Sequence, residues 1–213
     1  MSAVLWVART GAPWRDLHPS FGAWKPIYNR FRRWALRGWW LEIFRGTEIE
    51  EAVGSILDAS IVRVHQDAAG STQGPRANAI GRSRGGWSTK LHAVVTMDAK
   101  PIEIRATPGQ QHEATLAEEL LDFVHGQACL ADGGYDADRI IEAARVREIK
   151  AVIPPSKGRV RRRRYDRGLY KLRYRVEVFF HDLKRHRRIA TRYDKTLTSF
   201  MGFVHLVCFL LSI

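Results

Sequence analysis

Cysteines and long apolar runs are both scarce in this sequence. The 213 residues include two cysteines, and neither has a partner at zinc-ligand spacing, which excludes a disulfide framework and a structural zinc site. We expect Cys129 and Cys208 to be buried in a reducing compartment, the cytoplasm. The longest apolar stretch, residues 203–213, is shorter than the roughly 20 residues that span a bilayer. The short N-terminal apolar run does not form a signal peptide, so no membrane partner is expected.

Acidic residues are outnumbered by basic ones, and the excess is uneven along the chain. There are 35 Lys and Arg against 22 Asp and Glu, a net charge of +13. Residues 156–192 hold 15 basic and 3 acidic residues, residues 51–155 hold 11 and 14, and residues 1–50 hold 8 and 4. An acidic middle between basic flanks is typical of a carboxylate active site served by a polyanion-binding surface. A merely solvated basic face is the alternative.

The N-terminal part of the chain, residues 1–50, is predicted to be helical. Aromatic and aliphatic residues recur at helical spacing over residues 22–37 and alternate with Lys and Arg, which predicts an amphipathic basic helix. Turn-forming residues at 11–14 separate it from a first helix that ends near Arg9. The pair is similar to an incomplete helix-turn-helix. We therefore assign residues 1–50 as a partial helical DNA-binding segment.

Residues 51–213 have the pattern of an α/β domain with a mixed sheet flanked by helices. In chain order, the pattern predicts strands at 56–65, 89–97 and 102–107, a helix at 113–124, a strand at 128–131, a helix at 137–147, a strand at 151–153 and a buried terminal helix at 203–213. Strands first, then alternating helices and strands, are typical of such a mixed sheet. The arginine tract 161–164 follows the last predicted strand. It is too charged for the core and is predicted to be a loop or arm.

The segment 170–184 carries the most specific pattern. With 100° per residue in a helix, a stripe about 80° wide holds Tyr170, Arg173, Glu177, His181 and Lys184, and apolar residues cluster on the opposite side. One face would enter the core, and the other would present a single carboxylate among basic groups. The alternative is a surface helix with an ordinary ion pair between Arg173 and Glu177.

This spacing resembles the Tyr-Arg-Glu-Lys signature of DDE transposases from bacterial insertion sequences, in particular the insertion-sequence five group. Further blocks are similar to that family and occur in the same order, at residues 57–66, 79–86, 89–93, 107–110, 130–136 and 189–195. The similarity runs from about Val4 to the C-terminus. Members commonly extend further before that point, so the resemblance implies an N-terminally truncated DNA-binding region. Gly133 stands where members often carry Arg or Lys.

The resemblance implies an RNase H-like fold that brings three catalytic acids together. The first acid lies on the first strand, the second just after the fourth strand and the third on a later helix. The candidates in this sequence are Asp58, Asp132 and Glu177. A carboxylate such as Asp58 inside an apolar strand is costly unless it is paired or binds metal. Asp67, beyond the strand in a loop, is the weaker candidate for the first acid.

The second acid has a structural alternative. Asp132 follows a buried strand, where an aspartate often forms a turn or caps a helix. Asp136 or Asp138 fits that role better, because either could cap the helix that follows. This favours Asp132 as the catalytic acid.

A divalent metal is implied by three converging carboxylates. Two Mg²⁺ ions, which Mn²⁺ can replace, are expected on Asp58, Asp132 and Glu177, because Mg²⁺ prefers hard oxygen ligands. In the family the other signature residues surround the third acid, so Tyr170, Arg173 and Lys184 are expected to hold phosphates. The remaining residues expected to contact backbone phosphate are Arg82, Arg84, Lys90, Arg161, Arg162, Arg163 and Arg164. For these basic side chains, loop solubility is the alternative.

The function implied by the resemblance is transposition through Mg²⁺-dependent strand cleavage and strand transfer at insertion-sequence ends. The expected partners are double-stranded DNA, both inverted-repeat ends and target, and a second copy of the chain when DNA is bound. The expected location is the bacterial cytoplasm, in association with the nucleoid when the protein holds DNA. Two alternatives remain: an inactive relic that acts only as a basic DNA-binding protein, and an RNase H-like nuclease.

Overall fold

The computed structural model describes residues 1–49, 52–70 and 74–213. Within these ranges the centre of the protein is a mixed sheet of seven strands. The strands are β1 (Ser55–Val64), β2 (Gly81–Ser83), β3 (Gly86–Thr96), β4 (Pro101–Pro108), β5 (Ala128–Leu130), β6 (Lys150–Val152) and β7 (Thr191–Arg192). Their order is β2-β3-β1-β5-β6, with β4 also paired to β3 and β7 to β1. The β1, β3 and β4 pairings are antiparallel, whereas β5 is parallel to both β1 and β6.

Helices flank this sheet, as the sequence predicted. In the described ranges they are α1 (Ser2–Thr10), α2 (Trp24–Leu36), α3 (Trp39–Arg45), α4 (Gln66–Ala69), α5 (Gly74–Ala77), α6 (Ala117–Leu120), α7 (Asp138–Val146), α8 (Arg167–Tyr170), α9 (Tyr174–Lys184), α10 (Arg187–Ala190) and α11 (Leu197–Ser212). None of these described helices has the length and apolar character needed to cross a membrane.

The sheet has a hydrophobic core on each face, because successive strand residues point in opposite directions. Ile56 and Leu130 belong to one cluster, together with residues of α9, α11 and the N-terminal helices. Their neighbours Leu57 and Cys129 belong to the other, together with residues of α6 and α7. Both cysteines are buried and unpaired, as predicted. The central strands are therefore covered on both sides.

The N-terminal helices share the core of the sheet domain. The rings of Phe31 on α2 and Phe203 on α11 stack with centroids 4.3 Å apart, and Trp40 on α3 is 1% exposed. The two predicted N-terminal helices are confirmed as α1 and α2, whereas α3 was not predicted. The proposed boundary between residues 50 and 51 lies outside the described residues, so the division into two domains stays a prediction.

The predicted helix over 113–124 is wrong as a single element. The chain instead forms a 3₁₀ turn at Glu113–Thr115, then α6, then a second 3₁₀ turn at Leu121–Phe123. Its buried residues Ala114, Ala117 and Leu120 are spaced by three. That spacing suits the three-residue turn of a 3₁₀ helix as well as it suits an α-helix.

The close approach of α11 to the N-terminal helices makes Gly202 sensitive to substitution. A Cβ added there would lie 3.2 Å from atoms of each of Ala35, Phe31 and Trp40. We expect Gly202→Leu to lower the free energy of unfolding by about 1–3 kcal/mol through overpacking, measured by urea denaturation. Gly158→Ala is the control, since no atom of the described residues lies within 4 Å of its added Cβ. Equal stability of the two variants would contradict this packing.

Candidate active site

The first predicted acid, Asp58, lies inside the central strand β1, where it pairs in register with Ala93 of β3. Its side chain is 14% exposed, and the backbone N–H of Ala59 donates a hydrogen bond to Asp58 Oδ1 at 2.8 Å. Burial raises the pKa of Asp58 to about 6, although this N–H and the charge of Arg173 lower it. Asp132 and Glu113 add to the increase in the pKa. The ionised carboxylate thus sits where burial and neighbouring acids oppose its charge.

The second predicted acid, Asp132, lies close to the first because the strands β1 and β5 are parallel neighbours. Ile56 of β1 is in register with Leu130 of β5, so Asp58 and Asp132 each follow the paired residues by two positions. The backbone N–H of Gly134 donates to Asp132 Oδ1 at 2.8 Å. Asp132 therefore caps the 3₁₀ turn Gly133–Tyr135, the structural role that the sequence interpretation had given to Asp136 or Asp138.

A third carboxylate at this point comes from Glu113, which the sequence prediction treated only as the start of a helix. Among the described residues, one oxygen each of Asp58, Glu113 and Asp132 lie within 4.8 Å of one another. Glu113 follows β4 and begins a 3₁₀ turn whose N-terminus is capped by His112. Its position shortly after the family-like block 107–110 is the signal that could have found it.

Glu177 lies near this acidic group but is held by a cation. The guanidinium of Arg173 donates to Asp58 Oδ2 at 3.0 Å and also bonds Glu177. The Glu177 side chain is 60% exposed. The Arg173–Glu177 ion pair considered from the sequence is therefore present, and Arg173 links it to the first acid. The structure brings Asp58 and Asp132 together directly and connects Glu177 to them through Arg173.

The other two signature residues lie on either side of this pair. Tyr170 is half-buried, and its ring contacts that of Tyr165 edge-on at 5.4 Å. Burial raises the pKa of Tyr170, and Asp132 is close enough to raise it further. Lys184 Nζ donates to Ser60 Oγ at 2.7 Å and to the carbonyl oxygen of Ile61 at 2.8 Å. Lys184 thus fastens α9 to β1 in this structure.

The basic residues of the β2–β3 hairpin occupy two different environments. Arg82 and Arg84 are exposed, and the Arg82 guanidinium lies 5.2 Å from the centre of the Trp87 ring. Lys90 instead points into the site, where its Nζ lies 3.3 Å from Glu113 Oε1 and its side chain is 10% exposed. Arg82 and Arg84 are accessible to a phosphate backbone, whereas Lys90 is engaged by an acid.

The arginine tract is similarly divided between exposed and paired side chains. Arg161, Arg162 and Arg164 are exposed, whereas Arg163 bonds the buried carboxylate of Asp136.

The interpretation of Asp136 as a cap of α7 is wrong, because α7 has no side-chain cap.

Asp136 instead anchors the segment that carries the tract. Its carboxylate accepts a hydrogen bond from the backbone N–H of Ser156 at 2.8 Å and lies 3.2 Å from Arg159. A loop residue chosen from spacing as a cap thus serves as an anchor for a chain segment distant in sequence.

Comparison with known proteins identifies the family of this chain. The family model "Transposase DDE domain" matches residues 50–213, and the model "Putative transposase of IS4/5 family" matches residues 1–44. The chain belongs to the DDE transposase family. It is 44% identical over 126 residues to a Brucella ovis protein named "Putative transposase for insertion sequence element IS6501". The aligned region covers 57% of this chain and 95% of that protein. It is also 36% identical over 75 residues to the uncharacterized protein y4sN of Sinorhizobium fredii, covering 33% of this chain and 58% of that protein.

Membership of the DDE transposase family agrees with the fold. The seven-stranded mixed sheet of the described residues, flanked by helices, is consistent with an RNase H-like fold. Asp58 lies on the first strand, and Asp132 follows β5 by two residues. The second acid was expected after the fourth strand, and the short β2, which had not been predicted, makes this strand the fifth. The catalytic roles of both residues stay a prediction. The family and the relatives' names support transposition as the general function of this chain.

Proposed function

We propose that this chain is a transposase that cleaves and joins DNA strands at insertion-sequence ends by metal-dependent phosphoryl transfer. Asp58, Asp132 and Glu177 are the proposed catalytic acids. The observation that carries the proposal is the meeting of Asp58 and Asp132, which are far apart in sequence, beyond the carboxyl end of β5 and beside β1. Glu177 approaches from α9 and is joined to Asp58 through Arg173.

The donor set fits a hard divalent cation. The clustered groups offer carboxylate oxygens, the ligands that Mg²⁺ and Mn²⁺ prefer. Burial and the two neighbouring acids raise the pKa of Asp58 to about 6, and a cation at this point would offset the cost of holding these charges together. Asp58 and Asp132 are the proposed protein ligands, with Glu177 as the third acid of the family signature.

Phosphoryl transfer at this site requires an oxygen nucleophile to attack phosphorus in line with the leaving 3′-oxygen. When bound, Mg²⁺ supplies charge neutralisation at the phosphate and activation of the nucleophile, which is water for cleavage and a DNA 3′-hydroxyl for joining. Asp58 and Asp132 are fixed by their strands and by hydrogen bonds from Ala59 and Gly134. Arg173 is placed to exchange its carboxylate partners for a phosphate oxygen, with Tyr170 beside it.

DNA is proposed to lie across the basic surface next to the acids. Residues 156–192 have a net charge of +12, from 15 basic and 3 acidic residues, but only part of that charge faces solvent. Eight of these cations are exposed, namely Lys157, Arg161, Arg162, Arg164, Arg167, Lys171, Arg185 and Arg187. Others pair with acids, as Arg163 does, or lie in the core, as Arg192 does. The exposed group is the proposed phosphate-binding surface.

Binding of duplex DNA should weaken steeply as salt rises, because contacts between cations and phosphates release counterions. Replacing Arg161, Arg162 and Arg164 together with Gln should reduce the slope of log K against log salt by about 2–3, since each phosphate contact contributes about 0.9. Fluorescence anisotropy with a labelled duplex measures both slopes.

The control for this experiment is Arg145→Gln, which removes an exposed arginine on α7 that pairs with Glu142. It should leave the salt slope close to that of the parent. An unchanged slope in the triple variant would show that the tract is only a solubilising surface.

The working form on DNA is proposed to be a dimer or a larger assembly. Joining two ends of one element requires two active sites held together, and one chain supplies one set of acids. The partner DNA would be the inverted-repeat ends and the target duplex.

A further inference from the structure

Glu113 is unexplained by the proposed catalytic triad, although it lies in the acidic group. One carboxylate oxygen from each of Glu113, Asp58 and Asp132 lies within 4.8 Å of the other two. Among the described residues, Glu177 is not part of this set. Acidic side chains also meet on protein surfaces where no ion binds. The contacts of Glu113 and the hydroxyl of Tyr135 distinguish this group from an ordinary surface cluster.

The two oxygens of Glu113 face different partners. Oε1 lies 3.3 Å from Lys90 Nζ. Oε2 faces the backbone of Gly134, since a Cβ at that glycine would lie 3.7 Å from Glu113 Oε2 and 2.9 Å from Asp132 Oδ1. A side chain at position 134 would therefore crowd the carboxylate of Asp132 and make ordinary van der Waals contact with that of Glu113. The Lys90 contact orients Glu113 and leaves Oε2 facing the turn that Asp132 caps.

A buried hydroxyl in the turn that Asp132 caps has no hydrogen-bond partner among the described residues. Tyr135 ends this 3₁₀ turn, it is 0% exposed, and its hydroxyl makes no hydrogen bond within the described part of the chain. Burial raises the pKa of Tyr135, and the charges of Glu113, Asp58 and Asp132 raise it further. A buried polar group left without a partner is rare in native proteins and calls for an explanation such as an ion or a water molecule. A water molecule on a bound cation could donate to this phenolic oxygen.

We propose that Glu113 is a third protein ligand, with Asp58 and Asp132, for the divalent cation that the protein binds in the absence of DNA. This inference rests on the proposed metal-dependent function and adds a ligand outside the family signature. Glu177, whose oxygens lie outside this group among the described residues, contributes less to that first binding event.

Binding of Mn²⁺ to the full chain without DNA tests the proposal directly, measured by electron paramagnetic resonance of the free ion. Glu113→Gln should weaken binding by about tenfold, because it removes a charged ligand while it conserves shape. Asp58→Asn should weaken binding at least as much, and Glu177→Gln should weaken it less than Glu113→Gln does. Glu119→Gln is the matched control, an exposed acid in the following helix, and should bind Mn²⁺ as the parent does.

Lys90→Met separates a ligand role from a purely structural ion pair. It leaves the carboxylate of Glu113 in place and removes a nearby positive charge, so Mn²⁺ binding should be retained or become tighter. Equal weakening in Lys90→Met and Glu113→Gln would overturn the proposal, because both would then act only through their ion pair. Thermal unfolding without metal verifies that each variant is folded.

The failure of this inference can be distinguished from the failure of the proposed function. If Asp58→Asn loses Mn²⁺ binding and Glu113→Gln does not, Glu113 is not a ligand and the proposed function is unaffected. If Asp58→Asn also binds Mn²⁺ as the parent does, the metal site itself is wrong and the assignment of Glu113 fails with it.

Discussion

Asp58→Asn and Asp132→Asn are each expected to lower Mg²⁺-dependent strand cleavage by at least about a thousandfold, equivalent to about 4 kcal/mol of activation free energy. Each change conserves the shape of the side chain and removes one carboxylate from the site where the two acids meet. The loss of a metal ligand leaves the nucleophile and the leaving oxygen without charge stabilisation. The measurement is cleavage of a labelled duplex that carries the element's ends, analysed on a denaturing gel.

DNA binding by these variants should be retained or become tighter, because a negative charge near the phosphates has been removed. The fold should also persist, since burial of Asp58 opposes the ionised form and raises its pKa to about 6. Anisotropy and circular dichroism on the same preparations check both points. Lost cleavage would then reflect lost chemistry rather than lost recognition.

Asp67→Asn is the matched control for the first acid. Asp67 lies on α4 just after β1, and its side chain is 67% exposed beside His65. This variant should cleave at the rate of the parent. The sequence pattern had placed Asp67 in a loop, whereas it lies in the first turn of α4. Cleavage that survives Asp58→Asn but not Asp67→Asn would make Asp67 the first acid. Binding without cleavage by the parent itself, in both Mg²⁺ and Mn²⁺, would favour an inactive DNA-binding protein.

The sequence predicted the central strands and singled out two candidate acids because their signals are local. A carboxylate in an apolar strand and a carboxylate directly after a buried strand can both be read from neighbouring residues. The parallel register of Ile56 with Leu130 then brings Asp58 and Asp132 together. This register depends on contacts distant in sequence, which a pattern of neighbouring residues does not encode.

The residues that the sequence prediction missed depend on tertiary contacts. Glu113 reaches the acids because β4 pairs with β3 and delivers the following turn to the same edge. Its sequence neighbours give only a helix start.

Charge counting overstates the number of accessible cations for a related reason. It treated every cation of residues 156–192 alike, whereas Arg163 is tied to a buried acid and Arg188 lies in the core. Composition gives the sum of charges, and packing decides which of them a phosphate can reach.

Asp194→Ala should lower the free energy of unfolding by about 3–5 kcal/mol, because it would leave a buried cation without its partner. Arg188 binds Asp194 through two hydrogen bonds, Nε to Oδ2 at 3.0 Å and Nη2 to Oδ1 at 2.9 Å, and the two side chains are 8% and 7% exposed. Arg192, fully buried, donates to the carbonyl oxygen of Asp194 at 3.0 Å. This part of the family-like block 189–195 is therefore structural, and urea denaturation should show the loss.

The buried pair can be tested by comparison with a surface pair and by replacing both partners. Asp182→Ala removes an acid paired with Arg185 at 3.1 Å, with side chains 34% and 62% exposed, and should cost less than about 1 kcal/mol. The double variant Arg188→Met with Asp194→Leu should recover most of the stability lost in Asp194→Ala, because apolar side chains of similar volume leave no buried charge. If Asp194→Ala is no more destabilising than Asp182→Ala, Arg188 must reach water or another partner on its own. The structural role of the block 189–195 would then not depend on this ion pair.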